Sequence, residues 1–284
     1  MNLPNFQAIG VKEPTKIAKM NTGSCSVNYY IRNEDGEFLI KLIAKSRKDQ
    51  KDRLLNNLKH THQKDHCPHL LFKKDLPDAY ALVFEWIDGS SYFLEKLPPD
   101  TFRQVISAYL DFSQTINRTP IKGILPAATP AGFYAEIKKR PFFLKKEFAE
   151  IQQDLSYHPK MQTIHGDFHY KNILFKGNKL QSFLDFENLR HGCPTEDLLR
   201  LILTNADQHK VFRTGFTVKL LRMLMQNTPY SRADWLYGLN KNVLRKYVKK
   251  LKKYSFCQAL VLFRCHFLHR RLRQEINAYF DKRG

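Results

Sequence analysis

Asp167 and Asn172 stand five residues apart in a polar stretch that opens with His165 and Gly166 and continues through Phe168, His169, Tyr170 and Lys171. Thirteen residues after Asn172 comes a second polar piece, Asp185, Phe186 and Glu187. Apolar runs follow the first piece (Ile173, Leu174, Phe175) and precede the second (Phe183, Leu184), and each reads as a short buried strand. Pairing of those strands as a hairpin would draw Asp167, Asn172 and Asp185 toward one point. A hard divalent cation such as Mg²⁺ takes oxygen ligands, commonly one or two carboxylates completed by phosphate oxygens. Metal-assisted work on a phosphate is the chemistry these residue types suit.

Several elements must position that constellation. Residues 17–42 read as strands and turns: a small polar loop from Asn21 to Ser26, alternating Val27, Tyr29 and Ile31, and a turn from Asn33 to Gly36. Phe38 to Leu42 is a strand with a single lysine, Lys41, among apolar residues, a pattern that usually marks an edge or a solvated face. Ser46 to Leu58 is a charged helix with Leu54, Leu55 and Leu58 facing inward. An apolar strand from Tyr80 ends in Glu85, Trp86 and Ile87, with a turn at Asp88 and Gly89. Pro98 and Pro99 open a helix with Asp100 as its expected N-cap, and Val105, Ile106, Tyr109, Leu110, Phe112 and Ile116 form its apolar face. Pro120, Pro126 and Pro130 mark residues 119–132 as a loop. A helix over 133–155 follows, with Phe142, Phe143 and Phe148 as core. After Asp185, Thr195 is the expected N-cap of another helix, with Glu196 and Asp197 favoured by the dipole in its first turn.

At the two polar pieces the chain resembles the aminoglycoside phosphotransferase and choline kinase family, relatives of the protein kinases. That family carries His-Gly-Asp, four variable residues and Asn, and then an Asp-led triplet. The resemblance implies an α+β, two-lobed protein-kinase-like fold. Residues 1–88 would form a small β-rich nucleotide-binding lobe, and residues 89–284 a larger helical lobe with the catalytic and metal-binding loops. It implies ATP and Mg²⁺ as cofactors and a hydroxyl as acceptor. Asp167 would be the catalytic base that orients the acceptor hydroxyl, and Asn172 and Asp185 would hold Mg²⁺ on the ATP phosphates. His165 would prop the loop and Asp197 would brace it. Lys41 looks like the phosphate-binding lysine, Ser24 belongs to the loop that would cap phosphates, and Glu85, Trp86 and Ile87 resemble the adenine-binding hinge. Lys171, beside Asn172, either adds a charge at the transferring phosphoryl group or points to solvent. The chain departs from the family in two places. The loop at 22–26 has one glycine, and no glutamate lies between Glu37 and Glu85 to pair with Lys41, leaving Asp49 or Asp52 to substitute.

Composition narrows the class. With 284 residues, 43% hydrophobic and 13% aromatic, the chain can bury a substantial core. The first twelve residues lack a basic segment followed by an apolar run, the longer apolar tracts are too short to span a bilayer, and five cysteines show no framework spacing. These features lead us to expect a cytoplasmic protein, with peripheral contact to a membrane as an option. His60, His62, His66, Cys67 and His69 crowd into ten residues without a recognised zinc spacing, so the segment reads either as a metal site or as a polar loop.

The formal charge is +20, and residues 201–284 hold eighteen Lys/Arg against four acids, a net of +14. Lys241, Arg245, Lys246, Lys249, Lys250, Lys252 and Lys253 surround an apolar stripe of Leu244, Tyr247, Val248 and Leu251. They form either a solvated face or a contact to something anionic. Cationic acceptors need acidic walls, and beyond Asp197 only Asp207, Asp234, Glu275 and Asp281 are available. An anionic or neutral acceptor therefore fits better, such as a sugar of a lipopolysaccharide-type glycolipid. Three alternatives differ in class. A choline- or aminoglycoside-type kinase would need a cationic pocket, and a kinase-shaped binding protein would lack turnover. A nucleic-acid binder is argued against by bases that do not interleave with aromatics.

Overall fold

β-branched and aromatic residues at period two dominate the first 90 residues, and apolar residues at helical spacing dominate the last two thirds. The computed structural model describes residues 5–20, 26–61, 65–117, 145–208, 214–251 and 256–283. Ser24, the proline-rich segment 119–132, Phe142, Phe143, Lys252 and Lys253 lie outside the described residues, as do the side chains of Phe148, Lys246, Tyr247, Val248, Lys249, Lys250 and Leu251. The fold is α+β. Its described residues divide into two compact units, one built on those up to Ser91 together with 172–187, the other on 92–117, 145–171 and those from Asn188 onward.

In the first unit a short helix, α1 (Phe6–Ile9), leads into β1 (Lys16–Met20), β2 (Val27–Asn33), β3 (Gly36–Ala44), α2 (Lys48–Thr61), β4 (Leu70–Asp75) and β5 (Ala79–Glu85). The strands form one antiparallel sheet in the order β1-β2-β3-β5-β4. The β2–β3 turn closes as the sequence predicts, with Gly36 at φ 135° and Asn33 Oδ1 accepting from the Asp35 N–H at 2.9 Å. Alternation sends Ile40, Leu42, Ala81 and Val83 to one face, where they pack with Tyr29, Ile31 and α1. Ile43, Leu82 and Phe84 go to the other face and meet Leu54 and Leu58 of α2. Lys41 is therefore not an edge residue. β3 is interior, between β2 and β5, and by parity Lys41 shares the α2 side with Ile43.

The hairpin β7 (Ile173–Lys176) and β8 (Lys179–Phe183) completes this unit. It is tied on by reciprocal Ser90–Phe175 backbone bonds of 2.8 and 2.9 Å and by the Phe183 N–H donating to His66 O at 2.8 Å.

The second unit comprises α3 (Pro99–Asn117), α4 (Lys145–Leu155), β6 (Gln162–Ile164), β9 (Arg190–Gly192), α5 (Pro194–Gln208), α6 (Thr214–Gln226), α7 (Arg232–Leu251) and α8 (Phe256–Asp281). Val105, Ile106, Tyr109, Phe112 and Ile116 of α3 are buried as expected, and Leu110 is half-buried. Both expected N-caps shift. Pro99 takes the first helical position of α3, where its missing N–H costs nothing, so Asp100 sits in the first turn and pairs with Arg103. Pro194 likewise opens α5, which makes Cys193 the cap; Glu196 Oε1 accepts from its N–H at 3.1 Å. Thr195 instead donates to the Asp234 carbonyl of α7 at 2.7 Å. Lys241, expected on the solvated face of α7, is buried at 6% exposure. Among the described residues, no helix is long and apolar enough to cross a membrane.

Candidate active site

In the first unit Lys41 projects from β3 toward the end of β8. Its ammonium lies 3.2 Å from Asp185 Oδ1 and forms a closer ion pair with Glu187. Burial alone would lower its pKa, but Asp185 and Glu187 outweigh that and hold it above the ordinary lysine value. The far oxygen of Glu187 accepts from Gln50 Nε2 at 2.7 Å, and Asn57 Nδ2 donates to the Phe186 carbonyl at 2.7 Å.

Thus α2 grips the Asp185–Glu187 triplet at two points but supplies no charge to Lys41. Helical periodicity decides which residues do this: Gln50, Leu54, Asn57, Leu58 and Thr61 form the buried stripe. Asp49 and Asp52 lie off it and are exposed, and Asp52 pairs with Lys51 at 2.6 Å. Neither substitutes for the missing glutamate. The carboxylate that pairs with Lys41 besides Asp185 is Glu187, outside α2.

Asp185 has φ 65°, the left-handed region, which a non-glycine residue rarely adopts unless its surroundings hold it there. Leu184 N–H donates to Asn172 O at 2.8 Å, so Asn172 and the residue before Asp185 are linked across the open end of the β7–β8 hairpin. An asparagine and a partly exposed aspartate at the same hairpin end are residue types that fit the donor set Mg²⁺ takes when phosphates supply the rest. At the end of β5, the Glu85 N–H is bonded to His69 O at 3.1 Å and the Trp86 N–H to Glu37 O at 3.2 Å. The Trp86 ring meets Tyr30 edge-on at 4.6 Å. Ile87 follows, half-buried.

In the second unit the loop after β6 carries His165, Gly166 and Asp167. His165 is fully buried against Phe168 and Phe112, with centroids at 5.8 and 6.5 Å, and its Nδ1 accepts from the Asp167 N–H at 3.3 Å. Gly166 has φ 77°, and a Cβ there would collide with the Asn188 carbonyl, so only glycine fits. Its N–H donates to both oxygens of Asp197, at 3.0 and 3.2 Å, and Tyr109 Oη donates to the same carboxylate at 3.0 Å.

Asp167 pairs with Arg200 of α5, and His169 Nε2 lies 3.7 Å from its other oxygen. Burial would raise its pKa, but His169, Arg200 and His165 outweigh it and hold the carboxyl well below the usual range. Lys171 is exposed, its ammonium 5.9 Å from the Tyr170 ring centroid.

The His/Cys segment behaves as a connector. His66 receives two bonds from β8 through its carbonyl and meets the Gln181 carbonyl through Nδ1 at 3.1 Å, while Cys67 is buried. Among the described residues no group of three His, Cys, Asp or Glu side chains gathers to hold a metal. His62 lies outside them.

Glu187, Gln50 and Arg200 are the contributors that sequence reading passes over. Glu187 was visible in the triplet. Gln50 and Arg200 carry no local signal, because each acts on a partner more than thirty residues away.

The sequence model of a phosphotransferase enzyme family matches residues 18–229. No curated protein sequence matches the chain. Among solved structures, a thermostable mutant of the aminoglycoside phosphotransferase APH(4)-Ia in ternary complex with ADP and hygromycin B is 13% identical. That likeness has a TM-score of 0.61 and covers 94% of this chain and 96% of that one. A GDP and kanamycin complex of an APH(2") enzyme is 13% identical, with a TM-score of 0.64 and coverage of 96% and 97%. Choline kinase from Cryptosporidium parvum Iowa II is 11% identical, with a TM-score of 0.60 and coverage of 98% and 92%. At these identities the likeness establishes the fold, the protein-kinase-like one.

Proposed function

This chain belongs to the phosphotransferase enzyme family, and on that premise we propose that it moves the γ-phosphoryl group of ATP to a hydroxyl of a small molecule or glycan. The observation that carries the reading is the Lys41 ammonium held between Asp185 and Glu187, with Asn172 at the same hairpin end. In this reading residues 1–88 are the nucleotide-binding lobe. Lys41 engages the ATP phosphates, and Ser24 and the backbone at Glu85, Trp86 and Ile87 contact the rest of the nucleotide. Mg²⁺, held by Asn172 and Asp185, would supply charge neutralisation on the phosphates. Asp167 orients the acceptor hydroxyl, kept ionised by Arg200 and positioned by His165 and the Asp197 brace. Such catalysis rests on placement and charge.

The acceptor is anionic or neutral, as in the sugars of a lipopolysaccharide-type glycolipid, and its capture occurs at or near an anionic membrane surface. Three of the four acids beyond Asp197 support this, the side chain of Asp207 lying outside the described residues. Asp234 accepts from the Ser231 N–H at 2.9 Å, Glu275 pairs with Arg222, and Asp281 pairs with Arg232. Each already serves the fold, and a cationic acceptor would need such acids unpaired. The test is a phosphoryl-transfer screen with Mg-ATP over neutral and anionic sugars, glycolipids, amino alcohols and aminoglycosides, with Asp167→Asn as control. Turnover confined to amino alcohols or aminoglycosides would overturn the acceptor class, and no turnover at all would overturn the activity.

A further inference from the structure

The surroundings of Asp167 carry a surplus of positive charge. Helix α7 packs closely against the first turn of α5. Gly238 of α7 abuts Thr195, where a Cβ would collide, and Asn242 Nδ2 donates to the Glu196 carbonyl at 2.8 Å. Gly238, Asn242 and Arg245 follow one stripe of α7 at i, i+4 and i+7. Glu196 and Arg200 are i and i+4 on α5. One turn on from Asn242 and from Glu196, Arg245 and Arg200 lie within electrostatic reach of each other and of Asp167.

Among the described residues, one carboxylate, Asp167, pairs with these two arginines, and it pairs with Arg200. Arg190 is taken by Glu196 at 2.9 Å, and Asp197 by Gly166 and Tyr109. Arg200 uses one Nη on Asp167, while its Nε is buried without a hydrogen-bond partner. Arg245 is exposed and has no carboxylate at ion-pair distance among the described residues. Surrounding protein that strips water from part of the guanidinium, and then repulsion from Arg200 and Arg190, lower its pKa, although the side chain still reaches solvent.

The geometry points to an anion-binding subsite formed by Arg200 and Arg245 beside Asp167, which takes a carboxylate or phosphate that the acceptor carries next to the hydroxyl it presents. This rests on the phosphotransferase reading and narrows its substrate class. Arginine forks suit either oxyanion through paired N–H donors. An arriving anion would relieve the repulsion on Arg245 and draw Arg200 off Asp167; that turn would bring the buried Nε out to the anion and leave the carboxylate free for the hydroxyl.

The experiment uses the full chain with saturating Mg-ADP, which fills the nucleotide's own phosphate sites, and titrates inorganic phosphate and glucuronate by calorimetry. Saturable one-to-one binding of at least one probe is expected. It should weaken about tenfold or more in Arg245→Ala and in Arg200→Lys, which keeps the charge and loses the fork. Arg103→Ala, an exposed arginine of α3, should bind as the parent does. No saturable binding of either probe, unchanged affinity in Arg245→Ala, or equal weakening in Arg103→Ala would each overturn the subsite. Arg245 is exposed, so its variant decides the matter even if Arg200→Lys fails to fold. Phosphoryl transfer by a protein with no such binding sinks the subsite alone. The expected binding in a protein that turns over no Mg-ATP with any acceptor removes the phosphotransferase reading and the acceptor role, but leaves the anion site standing.

Discussion

Glu187→Gln removes the charge that takes the place of the missing helix glutamate while keeping the side chain's length. The Lys41 and Glu187 side chains are each 13% exposed, and that of Asp185 is 36% exposed, so the pair is largely shielded from solvent. Breaking a buried ion pair costs about 3–5 kcal/mol when the surviving charge has no other partner. Here Asp185 remains 3.2 Å from the ammonium, and that partial compensation places the expected loss near about 2–3 kcal/mol. Expressed wholly in transition-state positioning, this is a fall of roughly 30- to 150-fold in kcat/KM for Mg-ATP.

The assay is steady-state turnover at varied Mg-ATP, paired with acylation of Lys41 by an amine-directed reagent. Removing a carboxylate lowers a lysine pKa that the carboxylate had raised, so the variant's Lys41 should acylate faster at a fixed alkaline pH. Adding Gln50→Glu returns a carboxylate from α2 and should recover part of the loss. Unchanged turnover together with unchanged acylation would refute the assignment of Glu187 as the partner that places Lys41.

Asp167→Asn should bind nucleotide as before and lose roughly a hundredfold or more in turnover, while Asp185→Ala should weaken Mg-ATP binding itself; titration and rate together separate the two. The Asp167 pKa lies below its unfolded value, so its contribution to stability is present above pH ~4 and disappears only as pH falls through the depressed value. Arg200→Gln should move that acid limb upward, read by acid unfolding. Lys171→Ala should change kcat for Mg-ATP if its charge reaches the transferring group, and normal kinetics would assign the side chain to solvent. Charge reversal at Lys249, Lys250 and Lys253 should raise the acceptor KM, spare kcat and flatten the loss of capture with added salt, since steering charges are screened over about 8 Å. Improved capture in that triple variant would point to a cationic acceptor.

The chemistry was legible from sequence because it is written in contiguous pieces. The spacing from His165 to Asn172 and the triplet at Asp185 need only a loop and a hairpin, and both are local structures. Asp197 could be chosen from its place at a helix start, and the β2–β3 turn from Gly36. Each of the two N-caps lies two residues ahead of its expected position for an equally local reason, since proline takes the first helical position and moves the cap ahead of it.

What sequence could not decide was who faces whom across the fold. Period two placed Lys41 on one side of a strand and left open an edge or solvated face beside the phosphate-binding role that the family resemblance implies, but only the sheet order made that strand interior. Helical phase, set by how α2 packs on the sheet, hid Asp49 and Asp52 from Lys41 and presented Gln50 to Glu187. The same holds for Arg200, Lys241 and Arg245, which sequence reading could count only as positive charge. The packing of α7 on α5 at Gly238 distinguishes them: one arginine pairs with Asp167, one lysine is buried, and one arginine has no carboxylate partner among the described residues. Charge is a property of composition, but its effect depends on distance and burial, and tertiary structure sets both.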